Sequence, residues 1–133
     1  MAAPTPTTYS RQTGKSGFLV WNAVWTDGNQ LNNSVVIDLS AQADNYTNSL
    51  TIERIQYRVT SGIEFKLEFD ATSNQFLYSS VLGNADSGDI DATWGGREGW
   101  VKTAAGSTGD LILTSTSAAD TDEITLIVWY RVS

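Results

Sequence analysis

The last stretch of the chain, residues 109–133, constrains the fold more than any other part of the sequence. It contains two β-rich runs, G-D-L-I-L-T-S-T-S and E-I-T-L-I-V-W-Y-R-V-S, separated by the polar segment A-A-D-T-D. In the second run, apolar side chains recur at every second position: Ile124, Leu126, Val128, Tyr130 and Val132. A period of two is typical of a β-strand with one face in the core. Because the opposite face is half apolar, with Ile127 and Trp129, we predict that this strand is central in its sheet.

The polar segment between the two runs predicts how they are connected. Asp120, Asp122 and Glu123 lie in or beside it, and charges at such a position discourage edge-to-edge aggregation. We therefore interpret the segment as a hairpin turn and the two runs as a strand pair.

Further strand candidates occupy most of the preceding sequence. They lie at residues 18–26, 34–40, 50–60, 63–70 and 75–82, and one more short strand is expected within the segment that follows. With the two terminal runs, this makes about eight short strands at roughly ten-residue spacing, without sustained helical periodicity. The pattern is typical of a β-sandwich or a β-barrel.

Two of these candidates carry a more specific pattern. In residues 50–60 the apolar positions slip by one residue at Glu53 and Arg54, which predicts a β-bulge. In residues 63–70 the alternation is unbroken, so apolar side chains are expected inward and charged ones outward. The inward set is Ile63, Phe65, Leu67 and Phe69, and the outward set is Glu64, Lys66, Glu68 and Asp70.

These patterns together predict an all-β protein, an antiparallel β-sandwich with jelly-roll-like connectivity. Residues 18–133 would form this single domain. Residues 1–17 are rich in Thr, Pro and Ser, so we predict a flexible, extended N-terminal arm outside the core. An immunoglobulin-like sandwich is the alternative, although the Cys-Trp-Cys pattern found in many such domains is missing.

The composition excludes several kinds of active site. The chain has no cysteine and no histidine, which removes disulfides, Ser-His-Asp and Cys-His catalysis and histidine-ligated zinc. The pattern selects no pair of carboxylates for glycoside hydrolysis, so we predict no catalytic residues, no enzyme activity and no cofactor. The net charge of −7 disfavours nucleic acid as a partner. The sequence has no apolar run suited to a signal peptide or a membrane span, so no membrane partner is expected.

The segment 83–100 holds the residues best suited to binding a ligand. Asp86, Asp89 and Asp91 are spaced closely enough to attract calcium, but they do not match an EF-hand loop, and we predict a solvated acidic turn without metal. Trp94 and Trp100 flank G-G-R-E-G in a predicted loop, where partly exposed aromatic rings are able to stack on a sugar. The tryptophans in strand runs are expected to be packed: Trp21, Trp25 and Trp129.

Five motifs carry a likeness to known proteins. They are R-I-Q-Y-R-V at residues 54–59, F-D-A-T at 69–72, W-G-G at 94–96, K-T-A-A-G-S-T-G-D-L-I-L-T-S-T at 102–116 and a D-x-x-x-I-T-L-type strand at 120–126. In these motifs the chain resembles small proteins that tailed bacteriophages, marine podoviruses especially, encode alongside their capsid genes.

Members of that family look like capsid decoration or cement proteins. The resemblance implies a compact β-domain that forms a homotrimer outside the shell near local three-fold axes. Its partners would be the major capsid protein and further copies of itself, and it would be located on the capsid surface of the virion after synthesis in the host cytoplasm. Interface candidates are Tyr9, Trp94, Arg97 and Trp100. The alternative function is a carbohydrate- or host-receptor-binding β-sandwich module, because exposed aromatic rings are able to stack on a sugar, although packing in the core or in subunit contacts is the favoured interpretation of the five tryptophans.

Overall fold

The regular secondary structure in the described part of the chain is almost entirely β-strand. The computed structural model describes residues 6–25, 30–41, 49–60, 63–82, 86–101, 110–116 and 122–133. Its strands are β1 Thr7–Thr13, β2 Ser16–Val24, β3 Ser34–Ile37, β4 Leu50–Val59, β5 Phe65–Phe69, β6 Gln75–Ser79, β7 Ser87–Asp91, β8 Trp100–Val101, β9 Leu111–Ser115 and β10 Glu123–Val132. Short 3-10 helices at Leu39–Ala41 and Ser80–Leu82 follow β3 and β6. Within these ranges no helix has the length and hydropathy needed to cross a membrane.

The strands form two antiparallel sheets, which confirms the predicted all-β class. The larger sheet has six strands in the order β1-β2-β10-β4-β7, and β8 also pairs with β4. The smaller sheet has four strands in the order β3-β9-β5-β6. β10 lies between β2 and β4, so the prediction that the last strand is central is confirmed.

The pairing between strands is nested along the chain. β2 pairs with β10, β3 with β9, β4 with β7 and β5 with β6. Successive pairs alternate between the larger and the smaller sheet. The chain therefore runs as one long antiparallel ribbon that is folded back and forth across the core.

The core lies between the two sheets and is held by aromatic contacts across them. The ring of Tyr57 in β4 meets that of Phe65 in β5 edge-on, with the centroids 5.0 Å apart, an arrangement that aromatic rings prefer. It also lies 5.9 Å from the ring of Tyr78 in β6. Trp21 and Trp25 are fully buried in the same cluster, as predicted.

The predicted bulge in β4 is confirmed at Glu53. Trp129 of β10 lies opposite Arg54, whereas the next residue, Tyr130, lies opposite Ile52. Glu53 is thus the extra residue, and it allows the apolar side chains on both sides of the bulge to face the core.

The two terminal β-rich runs do not form the predicted pair. β9 lies in the smaller sheet between β3 and β5, whereas β10 lies in the larger sheet. The physical reason is that both edges of β10 are occupied by β2 and β4, and that three consecutive residues of β9 are buried, as in a strand covered on both faces. Asp120 of the predicted turn lies outside the described residues.

The separate arm predicted for residues 1–17 is not confirmed, because Thr7–Thr13 pairs with β2 along its whole length. The sequence did not predict this edge strand, because nearly all of its side chains are exposed and the segment therefore has no apolar alternation. Its order depends on backbone hydrogen bonds to β2 and not on burial.

One side chain of β5 departs from the predicted alternation. Glu68 was expected to face solvent, but it is only 8% exposed. β5 lies inside the smaller sheet between β9 and β6, so Glu68 is flanked on its face of the sheet by the residues paired with it, Ile112 of β9 and Phe76 of β6. Lys66 Nζ lies 3.5 Å from Glu68 Oε1 and supplies an opposite charge.

Gly88 tests how closely the core is packed. It lies opposite Tyr57 in the pairing of β4 with β7, and a Cβ atom at this position would stand 2.5 Å from the Tyr57 ring. We expect Gly88→Ala to lower the free energy of unfolding by about 1–3 kcal/mol, since overpacking forces the ring from its site. Urea unfolding measures this, with the neighbouring exposed residue in Ser87→Ala as the control. Equal stability of both variants would contradict the packing described.

Candidate functional site

The outer face of the larger sheet carries an apolar patch. Phe18 in β2 lies directly opposite Trp129 in β10, and Val20 lies opposite Ile127. These four side chains alternate with core residues along their strands, so they point away from the core. Each is half-buried. We call them the apolar patch.

Tyr9 extends the apolar patch toward the edge of the sheet. It lies opposite Val20 in the β1–β2 pairing, and its ring centroid is 6.4 Å from that of Phe18. With 62% of its surface exposed, Tyr9 is accessible to a partner. The structure thus places this predicted interface residue beside the apolar patch.

A charged network borders the apolar patch on the β4 side. The Arg54 guanidinium lies over the Trp129 ring, 4.9 Å from its centroid. Arg54 donates two hydrogen bonds to Asp89, from Nε to Oδ1 at 2.8 Å and from Nη2 to Oδ2 at 2.6 Å. Gln56 Nε2 donates a third to Asp89 Oδ2 at 3.0 Å. The bidentate pair fixes the plane of the guanidinium and hence its position over the indole.

The same network sets the charge of Asp89. The hydrogen bond from Arg54, and then that from Gln56, lower the pKa of Asp89 from its usual 3.8 to about 2, because both stabilise the carboxylate. The contact also raises the pKa of Arg54. Since both side chains are more than a third exposed, the pair positions the guanidinium over Trp129 more than it stabilises the fold.

A cleft lies at the β7 edge of this sheet and brings together three of the predicted interface residues, Trp94, Arg97 and Trp100. Its volume is about 510 Å³. Trp94 is 79% exposed, and Trp100 is half-buried against the core. The cleft is lined by Asp89, Ile90, Asp91, Ala92, Trp94, Arg97, Gly99 and Trp100.

Hydrogen bonds within residues 91–97 hold the loop that presents Trp94. The backbone N and Oγ1 of Thr93 donate to Asp91 Oδ1 at 2.9 and 2.6 Å. The backbone N of Trp94 donates to the Asp91 carbonyl at 3.3 Å, and that of Arg97 to the Thr93 carbonyl at 3.2 Å. The Thr93 hydrogen bonds also lower the pKa of Asp91.

Two glycines make this tight loop possible. Gly95 and Gly96 have φ angles of 77° and 84°, a left-handed conformation that other residues adopt with strain. Because they follow Trp94 directly, the chain turns back toward β8 while the indole is left facing solvent. The W-G-G motif therefore places an exposed indole at the turn of the loop.

The acidic residues of this region are engaged with neighbouring side chains. Asp89 is bound by Arg54 and Asp91 by Thr93, and Asp86, the third of the acidic residues considered for calcium, is exposed. Within the described ranges no group of three or more acidic, histidine or cysteine side chains is placed to hold a metal ion. The cleft therefore offers the aromatic face of Trp94 beside two charged hydrogen-bonding groups, Asp91 and Arg97.

The predicted interface residues thus fall on two surfaces, Tyr9 at the apolar patch and the others at the cleft. Sequence reasoning missed the apolar patch itself, and Trp129 was assigned to packing alone. The available signal was the run F-L-V-W in β2, which is apolar at both odd and even positions, together with Ile127 and Trp129 on the second face of β10.

The Asp89 contact predicts a pH dependence of stability. Its folded pKa of about 2 lies below the usual 3.8, so its stabilisation is complete above about pH 4 and is lost as the pH falls toward 2. Asp89→Asn should cost less than about 1 kcal/mol at neutral pH, since the pair is exposed. The difference from the parent protein, measured by urea unfolding at several pH values, should shrink below about pH 4.

The control is the same substitution in an Arg54→Gln background. Without the guanidinium, Asp89→Asn should have a smaller effect at neutral pH. An undiminished effect in that background would assign the stabilisation to another neighbour.

The comparisons with known proteins add no family to these observations. No protein-family model matches the sequence, and no curated protein matches it closely enough to count as a relative. The two surfaces of the larger sheet, together with the sequence motifs, are therefore the grounds for a functional hypothesis.

Proposed function

We propose that this protein is a structural virion protein, a decoration or cement protein that binds the outside of a phage capsid and stabilises it. The observation that carries the proposal is the apolar patch with Tyr9 beside it. The inner face of the larger sheet packs against the core, and its outer face carries the aromatic side chains of Phe18 and Trp129. We assign this surface to the contact with the capsid.

The composition of the surface supports a protein contact. Apolar patches rimmed by polar groups mark interaction sites on soluble proteins, and aromatic residues and arginine are enriched in interfaces. Here Phe18 and Trp129 lie at the centre, and Arg54 and Arg131 border them on β4 and β10.

The nested strand pairing supports a jelly-roll fold. A jelly roll consists of two sheets with Greek-key connections, and the nested pairs β2–β10, β3–β9, β4–β7 and β5–β6 support this assignment. Jelly rolls recur in viral capsid and lectin domains. A fold does not by itself determine function, so the proposed capsid contact rests mainly on the apolar patch.

The motifs that resemble phage proteins fall mainly on strands. Residues 54–59 belong to β4, the described end of the 102–116 motif forms β9, and residues 123–126 begin β10. These positions build the fold. The exceptions are the W-G-G motif at 94–96, which lies in the exposed loop of the cleft, and most of F-D-A-T, since residues 70–72 follow the end of β5.

A homotrimer would explain how a small surface binds a capsid firmly. Three copies around a local three-fold axis would join through a heterologous interface that closes on itself. Each copy would then place one apolar patch on the shell, and simultaneous contacts raise the overall affinity without requiring any single contact to be strong.

Ile127→Lys tests the capsid contact directly. The side chain belongs to the apolar patch and is half-buried, so a lysine at this position places a charge in the proposed interface, while its stem follows the sheet surface. We expect binding to expanded phage heads, measured by co-sedimentation, to weaken by at least about tenfold. The melting temperature should change little.

The matched control is Val35→Lys, which places the same charge on an exposed aliphatic residue of β3 in the smaller sheet. It should bind heads like the parent protein. If Ile127→Lys also binds normally, the apolar patch is not the contact. If the parent protein fails to bind heads, the proposed function is wrong.

A further inference from the structure

We propose that the cleft beside β7 binds a neutral pyranose sugar, with Trp94 as the stacking platform. This is a second binding function on a surface different from the apolar patch, so a decorated capsid would present the cleft to glycans. It does not depend on the capsid contact.

The proposal rests mainly on the exposure of Trp94. It has the highest exposure of the large hydrophobic side chains in the described residues, 79%, although its loop is held by the hydrogen bonds of Asp91 and Thr93. An exposed indole on a hydrogen-bonded loop is accessible to a ligand. The face of the ring carries negative charge density, which attracts the slightly positive C–H bonds on the flat face of a pyranose.

The polar groups beside Trp94 match sugar hydroxyls. A hydroxyl both donates and accepts hydrogen bonds, and the cleft offers Asp91 as an acceptor and Arg97 as a donor. Arg97 is exposed and belongs to none of the ion pairs among the described residues. Thr93 uses Asp91 Oδ1, which holds the carboxylate in place and leaves Oδ2 outside that contact.

The charges of the cleft favour a neutral ligand. Asp89 is neutralised by Arg54, so the remaining groups are one carboxylate on Asp91 and one guanidinium on Arg97. These two opposite charges nearly cancel, so a charged sugar gains little net attraction in the cleft, and an anionic one is further disfavoured by the net charge of −7. Neutral hexoses and N-acetylhexosamines are compatible with both groups.

The size of the cleft and the attachment of its loop to the sheet also suit a sugar. Its volume of about 510 Å³ lies within the range of small-ligand sites. The loop is attached to β4 at both ends, since the backbone N of Ala92 donates to the Glu53 carbonyl at 2.8 Å and Trp100 pairs with Ile52. A preformed loop loses little entropy when the ligand binds.

Isothermal titration calorimetry of the full chain tests the proposal. The probes are the methyl glycosides of glucose, galactose, mannose and N-acetylglucosamine, and their short oligosaccharides. We expect saturable binding of at least one probe with a Kd in the millimolar range or below. Trp94→Ala should weaken that binding by about tenfold or more, because it removes the stacking surface. Arg97→Gln should weaken it as well.

Phe76→Ala is the matched control, because Phe76 is an exposed aromatic residue on β6 of the smaller sheet, away from the cleft. It should bind the sugar like the parent protein, and the melting temperatures of all three variants establish that they are folded. Absence of saturable heat with every probe would overturn the proposal. So would sugar binding that survives Trp94→Ala.

The capsid assay separates this proposal from the proposed function. Trp94→Ala should leave binding to phage heads unchanged, whereas Ile127→Lys should leave sugar binding unchanged. If Trp94→Ala abolishes binding to heads and no sugar binds, the cleft is a protein contact and the sugar proposal is wrong.

Discussion

β10 forms backbone hydrogen bonds along both of its edges, to β2 on one side and to β4 on the other. Its register with β2 is unbroken from Glu123 to Arg131, and a slip of one residue would turn its whole apolar set away from the core. The same register places Ile127 and Trp129 beside Val20 and Phe18 on the outer face. The alternation that closes the core therefore also assembles the apolar patch.

The bulge in β4 connects this framework to the cleft. Glu53, the extra residue, accepts a hydrogen bond from the backbone of Ala92 through its carbonyl, and its carboxylate lies 3.4 Å from Arg131 Nη1. The loop that carries Trp94 begins at Ala92, so a distortion of β4 sets where the indole emerges. Bulges often serve to re-aim side chains near functional sites. The apolar patch and the cleft are thus both positioned by strands of the larger sheet.

The sequence predicts the features that depend on side-chain alternation, namely the inward face of β10 and the bulge at Glu53. The glycines that follow Trp94 also predict its exposure, because they indicate a loop. The sequence does not predict the choice of partner strands, because pairing depends on contacts between residues far apart in the chain. Thr7–Thr13 was missed since backbone hydrogen bonds to β2, and not apolar side chains, hold it in place. Trp129 was assigned to packing because a period of two identifies a face without showing whether anything covers it.

Electron cryomicroscopy of expanded heads incubated with the protein tests the central claim, that the outer face of the larger sheet is the capsid contact. The account predicts density for the β-sandwich near the local three-fold axes, with β2 and β10 facing the shell and Trp129 at the contact. Density in which the larger sheet faces solvent and the smaller sheet meets the shell would contradict it.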